Sequence, residues 1–286
     1  MSQHGPIPCR AARTIAIDDR RPGGFASNRG PLEMQRRGFL KTMGGLAGCL
    51  LCAGTRSFAA EEHHWSYAGA TGPDHWGDGD PQALACRAGT EQSPIDIRTT
   101  TRASLPRLNL AWKPVAGDVV NNGHTIEVTT PGAGGMDVGG MHYDLVQVHF
   151  HAPSEHRIDG RAFPMEAHFV HRHGPSGALG VLGVFLAEGR PNLAFAQVMA
   201  AMPERSGGRA PLPAPLALEG LVPASRRYWS YEGSLTTPPC SEIVDWRVCV
   251  DPVEVAAADI ARFTALYPMN ARPIQQANRR FVLVSE

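Results

Sequence analysis

Between Thr125 and Val250 the chain runs through six strand-like segments with almost nothing helical between them. They are Thr125–Thr130, Asp144–His151, Met165–Arg172, Leu179–Ala187, Arg226–Glu232 and Ile243–Val250, most of them bounded by Gly, Pro or Asp. A parallel α/β sheet needs a crossover of a dozen or more residues, normally a helix, between successive strands. One helical pattern falls among the six: Asn192 caps a run through Met202 that stops at Pro203. A second, Ala257–Leu266, carries Ile260, Phe263 and Leu266 on one side and ends before Pro268. From Trp65 to about Leu108 the sequence is turns, punctuated by Gly72-Pro73, Gly77 to Pro81, and Ser93-Pro94. The Gly/Pro-rich stretch Ser206–Pro215 is too short to divide domains, and there is no internal repeat. The expected fold is mainly β (α+β): one domain around a large, mostly antiparallel central sheet with a few short peripheral helices.

Two of the strand-like segments carry unusual polar side chains. Alternate residues of a strand share a face, so Gln147, His149 and His151 point one way, and so do Glu166, His168 and Val170. If these strands are neighbours, three imidazoles converge, as in catalytic zinc sites, where three neutral nitrogens leave the fourth tetrahedral position for water. An H-x-H pair alone proves little in a chain with 12 histidines. The partners behind them strengthen the reading, because a metal-bound imidazole usually donates its other N–H to an amide, carboxylate or carbonyl. Gln147 and Glu166 each lie two residues before a candidate ligand on the matching face. An inward glutamate beside Ala167, Phe169 and Val170 would be costly without such a role.

The first 59 residues read as something other than this domain. Arg36-Arg37-Gly38-Phe39-Leu40-Lys41, an apolar run from Met43 to Ala53, and Ser57-Phe58-Ala59-Ala60 have the form of a bacterial export signal. The apolar run is far short of the ~20 residues that span a membrane. Its paired arginines resemble a twin-arginine signal, although Gln35 stands where Ser or Thr is more usual. The segments are therefore expected to be a mis-assigned start or disordered extension over 1–33, a signal peptide over 34–59 and a catalytic domain over 60–286. Leu46-Ala47-Gly48-Cys49 resembles a lipoprotein processing box, which makes anchoring at Cys49 the lesser alternative to a periplasmic or secreted protein. The membrane would matter only during export. About 230 residues remain, enough for one substantial core. Lys+Arg and Asp+Glu balance at 27 each, with no basic stripe, so nothing points to nucleic acid.

Of six cysteines, Cys86, Cys240 and Cys249 fall in the domain, allowing one disulfide and one thiol in an oxidising compartment. Sequence alone does not choose the pair. Cys249 alternates within a strand-like run, where a small buried thiol fits, whereas Cys86 and Cys240 sit in Gly/Pro-rich turns that favour a bridge. Closing so long a loop would contribute roughly 5 kcal/mol at most.

Five motifs in order, Gln92–Ile97 (QSPIDI), Asn121–His124 (NNGH), Gln147–His156 (QVHFHAPSEH), Glu166–Val170 (EAHFV) and Ser234–Pro239 (SLTTPP), resemble those of alpha-class carbonic anhydrases of the bacterial type. The resemblance runs from Trp65 to about Val282. It implies reversible hydration of carbon dioxide to bicarbonate by attack of zinc-bound hydroxide, with secondary esterase activity. Carbonic anhydrases are themselves the standard example of zinc lowering the pKa of its water to about 7. It implies Zn2+ on His149, His151 and His168, with Gln147 and Glu166 behind them. Thr236 would orient the hydroxide while donating to Glu155, and Thr237 would lie near substrate. Val170, Val181, Leu235 and Trp246 would form the apolar wall for carbon dioxide. His124 would be the proton shuttle, with Tyr67 and Asn122 holding the intervening waters. Glu127 departs from the family pattern, which more often has a neutral amide; its carboxylate could raise the pKa of the shuttle or reorganise the waters. Cis bonds are implied at Ser93-Pro94 and Pro238-Pro239, and a homodimer is expected by analogy with bacterial relatives. A catalytically dead binding relative would usually lack a zinc histidine, and a zinc store would not need the Thr236–Glu155 relay.

Overall fold

The computed structural model of the chain describes residues 64–286. The extension 1–33, the export segment 34–59 and Cys9, Cys49 and Cys52 lie outside the described residues. Among the described residues no helix is long and apolar enough to cross a membrane.

A 13-stranded mixed sheet organises the domain. Its path runs Arg209–Pro211, Asp118–Asn121, Ile126–Thr129, Met141–His151, Met165–Arg172, Leu179–Glu188, Val244–Cys249, Tyr228–Gly233, Leu283–Ser285 and Thr101–Ala103. Most neighbours are antiparallel. The Leu179–Glu188 strand pairs parallel with Val244–Cys249 and Val253–Val255, and Leu283–Ser285 pairs parallel with Thr101–Ala103. Along Leu179–Glu188 the alternation separates two cores: Leu182, Val184 and Leu186 face one, Val181 and Phe185 the other. Helices Leu193–Ala201 and Ala257–Leu266 close the first core with Phe195, Val198, Met199 and Phe263. The Asn192 side chain caps the first of them, accepting from the N–H groups of Ala194 and Phe195. The second core sits beneath the polar face that carries the histidines.

A bulge allows one strand to serve both. Strict alternation along Met141–His151 would put Tyr143 and Leu145 on the same face as Gln147 and His149. Instead Tyr143 and Leu145 join Val148 and Phe150 in the first core. The register against Met165–Arg172 shifts between Leu145 and Gln147, and the extra residue, Val146, is 43% exposed. One inserted residue reverses the parity of everything after it.

Both expected helices form, and the six expected strands form within a few residues. Arg226 lies outside its expected strand: its φ of 55° places it in the turn before Tyr228. Short strands over Asn109–Trp112, Asp118–Asn121 and Gly134–Val138 add to the sheet. Gly134 and Gly135 give the last of these no side-chain alternation to read. Ser93-Pro94 and Pro238-Pro239 are cis, as is Ala152-Pro153, which the sequence did not announce. Cys86 and Cys240 form a disulfide, and Cys249 is a buried thiol whose pKa burial pushes up to about 12.

Candidate metal centre

The strand register builds the centre. His149 stands directly opposite His168, and His151 opposite Glu166, so the three imidazoles share one face. Their ring centroids are 4.6–5.1 Å apart, and one nitrogen of each ring lies within 4.8 Å of the others.

Each ring has its other nitrogen engaged. His149 Nδ1 is 2.8 Å from Gln147 Oε1, His151 Nδ1 is 2.8 Å from the Asn270 carbonyl oxygen, and His168 Nε2 is 2.9 Å from Glu166 Oε1. These partners are acceptors, so the engaged nitrogens carry the protons and the lone pairs lie on His149 Nε2, His151 Nε2 and His168 Nδ1. Burial lowers the pKa of His149 and His151, in His149 reinforced by the neighbouring imidazoles, so both stay neutral and available as donors.

An acceptor surplus marks the interior of this triangle. Glu155 Oε2 lies 3.5 Å from His151 Nε2 and 3.8 Å from His168 Nδ1. Neither His151 Nε2 nor Glu155 Oε2 has a hydrogen-bond donor, although both are buried. Lone pairs facing one another in a dry site repel unless a cation lies among them. Three imidazoles, each with its other nitrogen engaged, beside a carboxylate are a donor set that fits zinc.

Glu166 also belongs to a second group, with His156 and His168. That group is already satisfied internally. His156 Nδ1 lies 2.7 Å from Glu166 Oε1, its backbone N–H donates to Oε2 at 2.9 Å, and its Nε2 is 2.6 Å from Tyr231 Oη. Burial by itself would raise the Glu166 pKa, but the imidazoles of His156 and His168 outweigh it and hold the carboxyl well below its ordinary value.

The expected relay from Thr236 to Glu155 is not hydrogen-bonded among the described residues, although Thr236 is buried. Glu155 Oε1 instead accepts from the Arg272 backbone N–H at 2.8 Å, leaving Oε2 turned towards the histidines. The Thr236 loop is held from outside: Ser234 N–H donates to Ser93 Oγ, and Trp246 Nε1 donates to the Ser234 carbonyl. Thr237 is half-buried, and its carbonyl closes the turn by accepting from the Cys240 N–H. Val181 and Trp246 are buried in the second core, and Val170 and Leu235 pack against it half-exposed, so the four come together as one apolar wall.

His124 stacks on Trp65, with ring centroids 3.7 Å apart and planes 9° from parallel. Burial, with His64 nearby, lowers its pKa; Glu127 does not raise it. Tyr67 packs edge-on to Trp65 and Trp76, and burial raises its pKa, with Glu155 and Tyr267 adding to the shift. The Asn122 side chain is exposed, and its Oδ1 accepts the N–H groups of His124 and Thr125, fixing the turn that carries His124. Glu127 stands opposite His149 on the adjoining strand.

Sequence reasoning missed Asn270 and Arg272, 0% and 3% exposed. Asn270 Oδ1 accepts the Ala152 N–H, and its Nδ2 donates to the carbonyls of Phe150 and His124. One side chain thus braces the strand end carrying His151 and the turn carrying His124. Arg272 donates to the carbonyls of Ser93 and Cys86. Both residues lie in Pro268–Pro273, whose composition reads as an exposed turn; only the alternation of Asn270 and Arg272 hinted at an inward face.

The eukaryotic-type carbonic anhydrase family model matches residues 71–286. This chain is a member of that family. The carbonic anhydrase of Neisseria gonorrhoeae is 39% identical over 251 residues, covering 86% of this chain and 98% of its own length. That of Pectobacterium carotovorum is 38% identical over 226 residues, covering 79% of this chain and 92% of its own. The solved alpha-carbonic anhydrase from Thermovibrio ammonificans, in complex with the inhibitor sulfanilamide, is 44% identical with a TM-score of 0.75, covering 77% of this chain and 98% of its own. The fold and activity class of this carbonic anhydrase therefore agree with the expectation from its motifs. Its family is zinc-dependent, and the three histidines are the donor set present here.

Proposed function

We propose that this carbonic anhydrase hydrates carbon dioxide reversibly at a zinc ion held by His149 Nε2, His151 Nε2 and His168 Nδ1. The observation that carries the reading is the pattern of engaged nitrogens. Gln147, the Asn270 carbonyl and Glu166 each take an N–H and leave three lone pairs within 4.8 Å. Bound there, zinc would supply Lewis acidity that makes coordinated water a nucleophile near neutral pH, a general property of the family and not a deduction from these distances. The Val170, Val181, Leu235 and Trp246 wall excludes water and receives an apolar triatomic substrate. Glu155 Oε2, which has no donor among the described residues, would accept a hydrogen bond at the centre, and Thr236 is the hydroxyl proposed to supply it. His124 takes up a proton at its ring nitrogen and passes it to solvent; its lowered pKa favours release over retention.

The twin-arginine-like segment supports export to the periplasm or beyond as a further proposal, and hydrolysis of activated esters is proposed as a side reaction of the same centre. Stopped-flow hydration by purified protein, before and after zinc removal, tests the main reading. Activity should vanish with the metal and return with it, and His149→Ala should lose both zinc and activity. Full activity in a zinc-free His149→Ala protein would overturn the proposal.

A further inference from the structure

Glu127 places a carboxylate on the sheet beside the metal centre. Its position is fixed by register. Across four adjacent strands Val120, Glu127, His149 and His168 stand opposite one another in a single row, and residues directly opposite project to the same face. Glu127 therefore lies on the metal face of the sheet, one strand from a ligand, with Cβ atoms about 5 Å apart across that pair.

The charge there is not neutralised. Glu127 is half-buried and makes no hydrogen bond or ion pair with any described residue. Burial raises its pKa, and Arg209, two strands away beside Val120, pulls the other way. The Arg209 guanidinium is itself engaged by Asp118, with Nη1 2.9 Å from Oδ2. With Asp118 already on Arg209, no cation is paired with the Glu127 carboxylate on this face. A half-buried charge that forms no bond acts through its field.

We propose that Glu127 is a specificity-determining residue that biases the metal's open position against anions, favouring a neutral substrate and prompt loss of an anionic product. The inference rests on the zinc reading and deepens it. Carbon dioxide carries no net charge and bicarbonate carries one, so a fixed negative charge on the wall discriminates between them without touching either. Two unit charges several ångströms apart in a partly solvated protein cavity differ by roughly a tenfold change in affinity. Glu127→Gln keeps the shape and removes the charge; Glu127→Asp keeps the charge.

The test is equilibrium binding of thiocyanate and bicarbonate to the zinc-loaded full protein, followed by calorimetry, with metal content measured on every sample. Glu127→Gln should bind both anions roughly tenfold more tightly than wild type. Glu127→Asp should stay within about twofold, and KM for carbon dioxide should hardly move in either. Equal anion affinities for wild type and Glu127→Gln, in samples that hold zinc, would overturn this inference alone. Tighter binding in Glu127→Asp to the same degree as in Glu127→Gln would also overturn it, since packing and not charge would then be the cause. A wild type that holds no zinc would instead remove the reading beneath it.

Discussion

Gly183 shows how closely the support of the metal ligands is packed. It lies opposite His168 on the Leu179–Glu188 strand. A Cβ added there would meet Glu166 Oε1 at 2.9 Å, Val248 Cγ2 at 3.5 Å and Trp246 Cζ3 at 3.7 Å. The carbon contacts are ordinary, whereas the oxygen contact is roughly half an ångström too close. That oxygen is the one facing both His168 Nε2 at 2.9 Å and His156 Nδ1 at 2.7 Å, so it has no slack. In Gly183→Ala the restricted unfolded chain contributes about 0.4–1 kcal/mol of stabilisation. Overpacking costs about 1–3 kcal/mol. The expected net is about 1–2 kcal/mol of destabilisation, or about 2–8 °C for a domain of this size.

The same displacement mis-aims His168. Loss of an orienting partner weakens metal binding about 10- to 100-fold; a partner pushed aside should fall near the lower end. Thermal unfolding of metal-free protein gives the first quantity, and zinc competition with a chelator the second. Gly180→Ala is the control. Its Cβ meets Tyr143 and Met136 in the first core, so it should alter stability without altering zinc affinity. A Gly183→Ala protein of equal or higher melting temperature and unchanged zinc affinity would refute the packing argument.

Asn270→Ala should cost about 3 kcal/mol in urea unfolding, because it strands the Ala152 N–H and two carbonyls. It should also weaken zinc binding by loosening the carbonyl that aims His151. His171 tests acid sensitivity. Burial lowers its pKa to about 4; its Nδ1 faces the carbonyls of Phe169 and Gly180, and its Nε2 accepts from Trp112 Nε1. Below pH 6.5 the unfolded chain binds a proton that the folded chain refuses. Stability should therefore fall between pH 6.5 and about 4 by about 3 kcal/mol from this residue. His171→Phe should flatten that limb in metal-free protein, and an unchanged slope would exclude the residue as its source.

The metal ligands were legible because strand alternation is strict: His149 with His151, and Glu166 with His168, share faces by counting alone. Gln147 and Glu166 followed from the same count. The bulge at Val146 was not legible, since nothing in Leu145-Val146-Gln147 distinguishes an inserted residue from a paired one. The Thr236–Glu155 relay came from resemblance alone; the Arg272 N–H that holds Glu155 Oε1 and leaves Oε2 open was not legible in the sequence. Asn270 and Arg272 were hidden because turn composition predicts exposure, and only tertiary closure buries them against Ala152 and Ser93.

The proposed zinc site is defined by which nitrogens hold the metal, and anomalous X-ray diffraction from zinc-loaded crystals at the zinc edge measures that directly. It should place one peak about 2.0–2.1 Å from each of His149 Nε2, His151 Nε2 and His168 Nδ1. A peak among His156, Glu166 and His168, or none in the domain, would contradict it.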